Sequence, residues 1–356
     1  MRSNRHSTSR RTLVRGLVRV VPPFSFVLCT LTICVFVATW SKLKPSEEFK
    51  PLSPAEVALV KRTAGIYEDA TKVGDFEDVI LVTAGNFGYV DMYTNWACHA
   101  RRLGLKWLLI ASDEEIYNEA GPDQAILSQN AAAVTSEATR FREVGFNLIT
   151  CSKLQDVMRI SQSARVDVVF SDCDNVFRAD PFAMGASLAE AIRSRLYEYV
   201  YQHNENQSTW ATEPFEGNTG FYYISGRRKR AGLRNLYSEA LHSCKNRPEI
   251  DDQTNFWDAF RHMRSGVAYV RWRRTGGSLF SHRGAPFKSA RFCSRDKIFD
   301  RRILSYCSLN ASQHPVGFHD ELSAMVTYHA NYRVGHDSKK ERLKQLGLWF
   351  DESCPM

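Results

Sequence analysis

Short apolar runs alternate with longer amphipathic segments from residue 78 onward. Residues 78–83 (DVILVT) and 106–111 (KWLLIA) are such runs, and they are rich in the branched side chains that buried strands favour. Between them, residues 89–103 fit a helix that ends at Gly104, because glycine commonly terminates helices. Strand, helix and strand at this spacing predict a parallel βαβ unit, and therefore an α/β fold.

The rest of the chain continues this alternation. Residues 152–163 carry apolar side chains at helical spacing and lead into a third apolar run, 166–171. The same patterns predict helices over 55–71, 230–242 and 339–346, a helix starting near Asp252, and a strand over 220–225. Residues 113–140 have poor periodicity and are interpreted as a loop-rich insertion. Since no linker-like composition interrupts residues 76–350, the pattern indicates one α/β domain over 76–356 with an open, Rossmann-type sheet.

Two carboxylates, Asp172 and Asp174, follow the third apolar run. If the strand continues through them, both point to the same side at the carboxyl end of a strand, where open α/β sheets bind ligands. Such close like charges repel unless a cation lies between them, and oxygen ligands suit Mg²⁺ or Mn²⁺. The repulsion also predicts that Asp174→Ala leaves the thermal midpoint of the metal-free protein unchanged or higher. The alternative is a strand end closed by an Asx-turn.

The N-terminal region has the pattern of a membrane anchor. Six arginines and no acidic residue precede residue 20, and residues 24–40 carry no charge over seventeen positions. This length just spans a bilayer, and the arginines place residues 1–23 in the cytosol. Residues 41–75 then form a lumenal stem, and the type II topology suggests a Golgi membrane protein with a lumenal domain. A cleaved signal peptide and an organelle transit peptide remain as alternatives.

Charge, sequons and cysteines add to this picture. Without the six arginines, the net charge of +8 falls to +2, so the basic composition does not indicate nucleic-acid binding. Asn206 and Asn310 begin N-glycosylation sequons, which fit a lumenal domain. Seven of the nine cysteines lie outside the apolar span. Because seven is odd, at least one thiol stays free or pairs with another chain.

The order of motifs resembles the nucleotide-diphospho-sugar transferases, in particular glycosyltransferase family 77, which includes plant cell-wall xylosyl- and arabinosyltransferases and protist galactosyltransferases. The resemblance covers most of residues 78–350. It rests on Val82-Thr-Ala-Gly-Asn-Phe-Gly-Tyr-Val-Asp91, Asn95-Trp96, Phe146-Asn147, Thr150, Lys153-Leu154, Phe170-Ser-Asp-Cys-Asp174, Asp180-Pro181, Asn218-Thr-Gly-Phe-Tyr-Tyr223, Asp251-Asp-Gln253, His329-Ala-Asn331, Gly335, Lys339 and Leu346-Gly-Leu-Trp349. Cys173 departs from the usual aliphatic residue, and residues 113–140 and 272–329 match poorly, so acceptor recognition is not implied.

The resemblance implies a GT-A-like fold and a metal-dependent, retaining glycosyltransferase. The metal, Mn²⁺ or Mg²⁺, is expected on Asp172, Asp174 and His329. For His329, an ordinary core or surface histidine is the alternative. The expected donor is a nucleotide-diphosphate sugar carrying xylose, galactose or arabinose. The expected acceptor is a glycan or glycoprotein of the secretory pathway.

The resemblance also implies roles for further residues. Those expected to bind the nucleotide donor are Thr83, Ala84, Gly85, Asn86, Lys153, Asp172 and Lys339, with Lys340 as an alternative to Lys339. Those expected at the donor sugar or the reacting centre are Asn218, Asp252 and Gln253. Structural roles compete with these assignments: a tight turn at Gly85, a helix N-cap at Asp251 or Asp252, and an exposed basic turn at the two lysines.

Two other classes of function remain open from the residues alone. The string Asp172-Cys-Asp-Asn-Val176 also fits haloacid-dehalogenase-like phosphatases, in which the first aspartate is the nucleophile. That class places its motif near the start of the domain, whereas here a full βαβ unit precedes it. The second alternative is a catalytically silent lumenal carbohydrate-binding protein, for which the loss of one D-x-D carboxylate is expected.

Overall fold

The computed structural model describes residues 49–139, 143–203, 217–227, 231–263, 293–297, 303–309, 326–331, 333–350 and 354. The predicted cytosolic tail, the predicted membrane span and the two sequons lie outside these residues. Within the described ranges, none of the helices combines the length and apolar character needed to cross a bilayer.

Strands and helices alternate along most of the described chain. The strands are β1 (Val79–Gly85), β2 (Leu108–Ala111), β3 (Ala125–Leu127), β4 (Asp167–Ser171), β5 (Asn175–Phe177), β6 (Tyr199–His203), β7 (Gly217–Ile224), β8 (Cys293–Lys297), β9 (Ile303–Leu309) and β10 (Thr327–His329). The helices are α1 (Pro54–Thr63), α2 (Val90–Arg102), α3 (Glu114–Ala120), α4 (Val144–Ala164), α5 (Ser187–Ser194), α6 (Ala231–Asn246), α7 (Asp252–Met263) and α8 (His336–Gln345). The order of elements confirms the α/β prediction.

Eight of the described strands form one mostly parallel sheet in the order β3-β2-β1-β4-β7-β6-β9-β8. The strands β3, β2, β1 and β4 run parallel to one another, whereas β7 is antiparallel to both β4 and β6. β4 therefore lies between a parallel and an antiparallel neighbour. A separate antiparallel pair joins β5 to β10, and this small sheet brings the end of the chain back to the end of β4.

Helices cover both faces of the large sheet, because its central strands are apolar on both sides. All seven residues of β1 are buried. On one face, Ile80 and Val82 pack with residues of α1, α4, α6 and α7. On the other, Val79 and Leu81 pack with residues of α2, α3 and α5. A third cluster joins α2, β5, β10 and α8 through Met92, Val176, Tyr328, Ala330 and Leu343.

The predicted βαβ unit is confirmed, and β1 pairs with β2 in parallel. Gly104 adopts a φ of 65°, in the left-handed region that glycine tolerates best, and it follows α2 as predicted. The predicted helix over 152–163 is shorter than the observed α4, which spans Val144–Ala164. Its C-terminal neighbour, Arg165, is left-handed with a φ of 57°.

The interpretation of residues 113–140 as a loop-rich insertion was wrong in part, since the segment contains α3 and β3. Asp113 begins the helix, because its Oδ1 accepts a hydrogen bond from Ile116 N at 2.9 Å. β3 then extends the large sheet by pairing in parallel with β2. Three-residue strands and seven-residue helices are too short to show a period, and sequence periodicity therefore missed both.

Residues 49–75, expected in the stem, pack on the body of the protein. Ser53 and Glu56 form a capping box at the start of α1, which satisfies the first backbone N–H groups of that helix. Leu59 and Val60 are buried in the main core, and Glu56 pairs with Arg159 of α4 at 3.1 Å. The compact unit accordingly begins at Phe49.

Two disulfides tie distant parts of the chain together. Cys98 of α2 is bonded to Cys354, and Cys151 of α4 is bonded to Cys244 of α6. Among the described side chains, Cys173 is a free thiol. The prediction of at least one unpaired cysteine agrees with this arrangement.

Candidate functional site

The D-x-D motif lies at the carboxyl end of β4, as predicted, but on a turn. β4 ends at Ser171, and the N–H of Asn175 donates to the carbonyl oxygen of Asp172 at 3.0 Å. The strand therefore does not continue through both carboxylates. It ends in a turn, as the alternative had it, but the turn is closed by the backbone carbonyl of Asp172 and not by its side chain. Ser171 anchors the turn, because its Oγ accepts a hydrogen bond from Trp96 Nε1 at 3.1 Å.

The small sheet places His329 beside this turn. β10 runs antiparallel to β5 with His329 opposite Asn175, and the N–H of Ala330 donates to the carbonyl oxygen of Asp174 at 2.9 Å. His329 Nε2 lies 3.2 Å from Asp174 Oδ1. Among the described residues, the buried Nδ1 of His329 has no hydrogen-bond partner.

Asp172, Asp174 and His329 form a candidate metal centre. One ligand atom from each of the three lies within 4.8 Å of the others, and Asp174 and His329 are buried. Two carboxylates and one imidazole suit Mn²⁺ or Mg²⁺. The residues therefore fit the metal that the sequence predicted.

Lys153 of α4 lies between Asp172 and Asp252. Its Nζ is 3.0 Å from Asp172 Oδ1 and 3.2 Å from Asp252 Oδ2. Burial alone would lower the pKa of Lys153, but the two carboxylates outweigh it and hold the pKa above its usual range. Burial raises the pKa of Asp252, while Lys153 opposes that increase. The predicted donor ligand Lys153 is thus already held by two carboxylates.

Asp174 has a second cation beside it, Lys339 in the first turns of α8. Lys339 Nζ lies 2.6 Å from Asp174 Oδ2. Burial would raise the pKa of Asp174, but Lys339 and His329 outweigh it and keep the pKa well below its usual range. Each D-x-D carboxylate therefore has its own lysine.

Lys340, the alternative to Lys339, points elsewhere. Its Nζ lies 2.7 Å from Asp91 Oδ2 and 4.8 Å from the centre of the Trp349 ring. His336 Nε2 also contacts Asp91, at 2.6 Å from Oδ1. These contacts join α8 to the start of α2.

Strand β7 supplies Asn218 and a glycine that sequence analysis did not single out. The N–H of Gly220 donates to Asn218 Oδ1, and the carbonyl oxygen of Gly220 accepts from Asp172 N at 2.7 Å. A Cβ added at Gly220 would lie 2.6 Å from Asp172 Oδ2 and would also overlap His329 Cε1. The available signal in the sequence was a glycine inside an aromatic strand, because such a glycine often marks a place where a ligand or another backbone approaches closely.

The two aspartates at the start of α7 have different roles. Asp251 caps the helix, because its Oδ1 accepts from Thr254 N at 2.9 Å. Asp252 is buried and faces Lys153 instead. Gln253 Oε1 accepts from Thr219 N at 3.4 Å, which ties α7 to β7. The capping alternative thus holds for Asp251 and fails for Asp252.

The carboxyl end of β1 carries the remaining predicted residues. Within the described structure, the buried Oγ1 of Thr83 has no hydrogen-bond partner. Ala84 and Gly85 close the strand. Among the described residues, a Cβ on Gly85 would meet only Ile116 Cδ1, at 3.7 Å. Asn86 Nδ2 donates to the carbonyl oxygens of Thr135 and Glu137 at 2.8 and 2.7 Å, so this side chain orders a neighbouring loop.

Two other motif residues, Asn95 and Asn147, join separate segments of the fold. Asn95 Nδ2 donates to the carbonyl oxygen of Leu348 at 3.1 Å, and Asn95 Oδ1 accepts from Phe350 N at 2.9 Å. These bonds hold the segment after α8 against α2. Asn147 Nδ2 donates to the carbonyl oxygen of Pro248 at 2.9 Å. These hydrogen bonds therefore position elements of the fold.

Comparison with known families decides what kind of protein carries this geometry. The model of the nucleotide-diphospho-sugar transferase family matches residues 105–343, which is more than half of the 356 residues. The chain belongs to this family. The matched region of the chain includes Lys153, the D-x-D turn, β7, His329 and Lys339.

Solved structures and curated sequences were compared as well. The glycosyltransferase GlyE of Streptococcus pneumoniae TIGR4 matches with 11% identity and a TM-score of 0.33, over 58% of this chain and 53% of that chain. The apo-form of GlyE matches with the same identity and TM-score, over 52% of its chain. The chain thus spans about half the length of these structures. None of the curated protein sequences matches it.

Proposed function

We propose that this member of the nucleotide-diphospho-sugar transferase family is a metal-dependent glycosyltransferase with a GT-A-like fold. The observation that carries the proposal is the convergence of Asp172, Asp174 and His329, whose ligand atoms lie within 4.8 Å of one another at the carboxyl end of β4. Ligands of open α/β sheets bind at this end. Mn²⁺ or Mg²⁺ bound there supplies Lewis-acid stabilisation of the leaving diphosphate.

The lysines of the site have separate roles in this proposal. Lys153 is buried between Asp172 and Asp252, so it positions Asp172 and does not contact the donor. Lys339 is partly exposed beside Asp174 and supplies positive charge for the diphosphate. At the carboxyl end of β1, the unpartnered hydroxyl of Thr83 and the backbone around Gly85 bind the nucleoside.

We further propose that the reaction retains the configuration of the anomeric carbon. Asp252 is ion-paired with Lys153 at 3.2 Å, and a carboxylate held in this way is a poor nucleophile. This favours a front-face reaction, in which the bond from the sugar to the diphosphate breaks as the acceptor oxygen attacks from the same side. The proton of the acceptor hydroxyl moves to the departing diphosphate oxygen, and Asn218 and Gln253 position the sugar.

The substrates follow from the resemblance to glycosyltransferase family 77. We propose a donor carrying xylose, galactose or arabinose and an acceptor that is a glycan or a glycoprotein. The family match favours this reading over a phosphatase, and the presence of both D-x-D carboxylates with His329 favours it over a silent carbohydrate-binding protein.

The compartment we propose is the Golgi lumen, with residues 24–40 as a type II anchor. The six arginines before an uncharged segment support this topology. The bonds Cys98–Cys354 and Cys151–Cys244 also support it, because disulfides persist in oxidising compartments. Expression in a secretory host tests the topology: loss of glycan mass after Asn206→Gln and Asn310→Gln is expected. A body that is unglycosylated and cleaved by protease from the cytosolic side contradicts it.

The activity is tested by a donor-hydrolysis screen of the full-length chain. Nucleotide-activated xylose, galactose and arabinose are incubated with Mn²⁺, and release of nucleoside diphosphate is measured. We expect turnover of one donor, its loss in excess EDTA, and its loss in Asp174→Asn. Full turnover in EDTA would refute the metal dependence. Turnover of an aryl phosphate but of none of the nucleotide sugars would refute the assignment as a transferase.

A further inference from the structure

We propose that Lys339 is an exchangeable counter-ion of the metal site. It neutralises Asp174 while the divalent ion is absent, and it moves to the donor's diphosphate when the ion binds. This inference rests on the proposed metal-dependent transferase and goes beyond it, because it makes one lysine the link between binding of the metal and binding of the nucleotide.

Both oxygens of the Asp174 carboxylate are already engaged. Oδ2 lies 2.6 Å from Lys339 Nζ, and Oδ1 lies 3.2 Å from His329 Nε2. The carboxylate is only 6% exposed. A charge buried to this degree needs a compensating cation, and Lys339 is the cation in contact with it.

The contact with His329 is compatible with metal binding, whereas the contact with Lys339 opposes it. Two cis ligands of an octahedral ion at about 2.1 Å each are about 3 Å apart, close to the separation of Asp174 Oδ1 and His329 Nε2. An ammonium group on the other oxygen of the same carboxylate places a positive charge beside the incoming ion. Lys339 and a divalent cation therefore compete for Asp174.

The two lysines of the site differ in how easily they can leave. The side chain of Lys153 is 6% exposed and is held by both Asp172 and Asp252, whereas that of Lys339 is 24% exposed and contacts Asp174. Lys339 also lies near the start of α8, at the edge of the site. Its long side chain can change rotamer without moving the helix, and this makes Lys339 the mobile member of the pair.

The exchange of Lys339 couples binding of the divalent ion to binding of the diphosphate. A diphosphate that attracts Lys339 frees Asp174 for the metal, and a metal that displaces Lys339 makes it available to the diphosphate. Because coupling between two ligands is reciprocal, each then raises the affinity for the other. A lysine that merely contacts phosphate predicts no change in affinity for the metal alone.

The affinity of the full-length chain for Mn²⁺ alone distinguishes an exchangeable lysine from one that merely contacts phosphate. Titration calorimetry or electron paramagnetic resonance measures this affinity. The variants are Lys339→Met, which removes the charge, and Lys339→Arg, which keeps it. Lys340→Met is the matched control, because it removes the same charge from the next position of α8, where the lysine pairs with Asp91. Each titration is repeated with UDP, GDP, ADP and CDP, and thermal melting checks that each variant is folded.

We expect Lys339→Met to bind Mn²⁺ alone about tenfold more tightly than the parent, with Lys339→Arg and Lys340→Met close to the parent. The increase in Mn²⁺ affinity caused by the best diphosphate should shrink in Lys339→Met. If the parent binds Mn²⁺ and Lys339→Met binds it equally or more weakly, the exchange is refuted while the metal-dependent transferase stands. If neither binds Mn²⁺, with or without a diphosphate, the proposed metal site itself is refuted.

Discussion

His329 Nε2 lies 3.2 Å from Asp174 Oδ1, although the two residues are far apart in the sequence. Pairing of β10 with β5 creates this proximity, since it sets His329 opposite Asn175 and bonds Ala330 N to the carbonyl oxygen of Asp174. A backbone contact thus fixes the distance between two candidate ligands.

Replacing Asp174 with alanine should abolish transfer and lower the stability of the metal-free protein. The change leaves Lys339 and His329 without the carboxylate that they contact, and we expect a loss of about 2 kcal/mol. This reverses the expectation from mutual repulsion of the two aspartates. Chemical denaturation in EDTA measures the loss, and a midpoint equal to or above that of the parent contradicts it.

The same variant should lose its stabilisation by ligands. A ligand raises the stability only of a state that binds it, so Mn²⁺ with a nucleoside diphosphate should raise the thermal midpoint of the parent and not that of Asp174→Ala. Asp258→Ala is the control, because that partly exposed carboxylate pairs with Arg247 on the surface. A normal ligand response in Asp174→Ala would remove this residue from the site.

Replacing Lys153 with methionine should destabilise the fold strongly. Asp172 and Asp252 would lose their shared cation, and we expect a cost of about 3 kcal/mol. Adding Asp252→Asn should recover part of this cost, because it removes one uncompensated carboxylate. Urea denaturation of the two single variants and the double variant measures the coupling, and additive effects would contradict a buried triad. The exposed Lys61→Met serves as the neutral comparison.

Two glycine variants should separate metal binding from nucleotide binding. A Cβ at Gly220 overlaps Asp172 and His329, so Gly220→Ala should weaken Mn²⁺ affinity by about tenfold or more. In the described part of the chain, a Cβ at Gly85 meets only Ile116, at an ordinary distance, so Gly85→Ala should fold and bind Mn²⁺ normally. Because the backbone near Gly85 is proposed to contact the nucleoside, its diphosphate affinity should fall. Equal Mn²⁺ affinities in the two variants would contradict the close packing at Gly220.

The pair of His336 and Asp91 should give a pH-dependent contribution to stability. Partial burial would lower the pKa of His336, but hydrogen bonds to Asp91 and Asp337 outweigh it and raise the pKa. The contribution is therefore full below the unfolded pKa of about 6.5 and is lost as the pH rises through the folded pKa. Burial would raise the pKa of Asp91, but Lys340 and His336 outweigh burial and lower that pKa. The stabilisation by the pair of His336 and Asp91 is therefore also lost in acid, as the pH falls below about 4.

His336→Gln tests this window. It should lower stability by about 1 kcal/mol more at pH 5.5 than at pH 9, since the protonated histidine exists only at the lower pH. Urea denaturation at the two values measures the difference. Asp91→Asn should reduce this difference, and adding His336→Gln to it should then have a smaller pH-dependent effect, the remainder coming from Asp337. An equal cost at both values would show that the ring acts only through its packing on Tyr89.

Particular residues show how much of the fold and of the candidate site could be predicted from the sequence. The apolar run before Asp172 predicted β4 and placed the D-x-D at its carboxyl end, because burial on both faces leaves a readable pattern. The sequence left a strand and a turn through Asp172–Asp174 as alternatives, since two carboxylates one position apart look the same on both. Gly220 was missed as a site residue, because its role depends on the side chains of Asp172 and His329 across the sheet.

The sequence by itself determined the α/β order, the position of the paired carboxylates, and the candidacy of His329 and Lys339. Local patterns carry the order and the carboxylates, because periodicity and residue type act over short distances, whereas His329 and Lys339 became candidates through the resemblance to a known family. Only the tertiary structure decided which lysine serves which carboxylate: Lys153 joins Asp172 to Asp252, Lys339 pairs with Asp174, and Lys340 turns away to Asp91. The physical reason is that a charge is paired by whichever cation the packing of helices brings within a few ångströms, and spacing along the chain does not specify that distance.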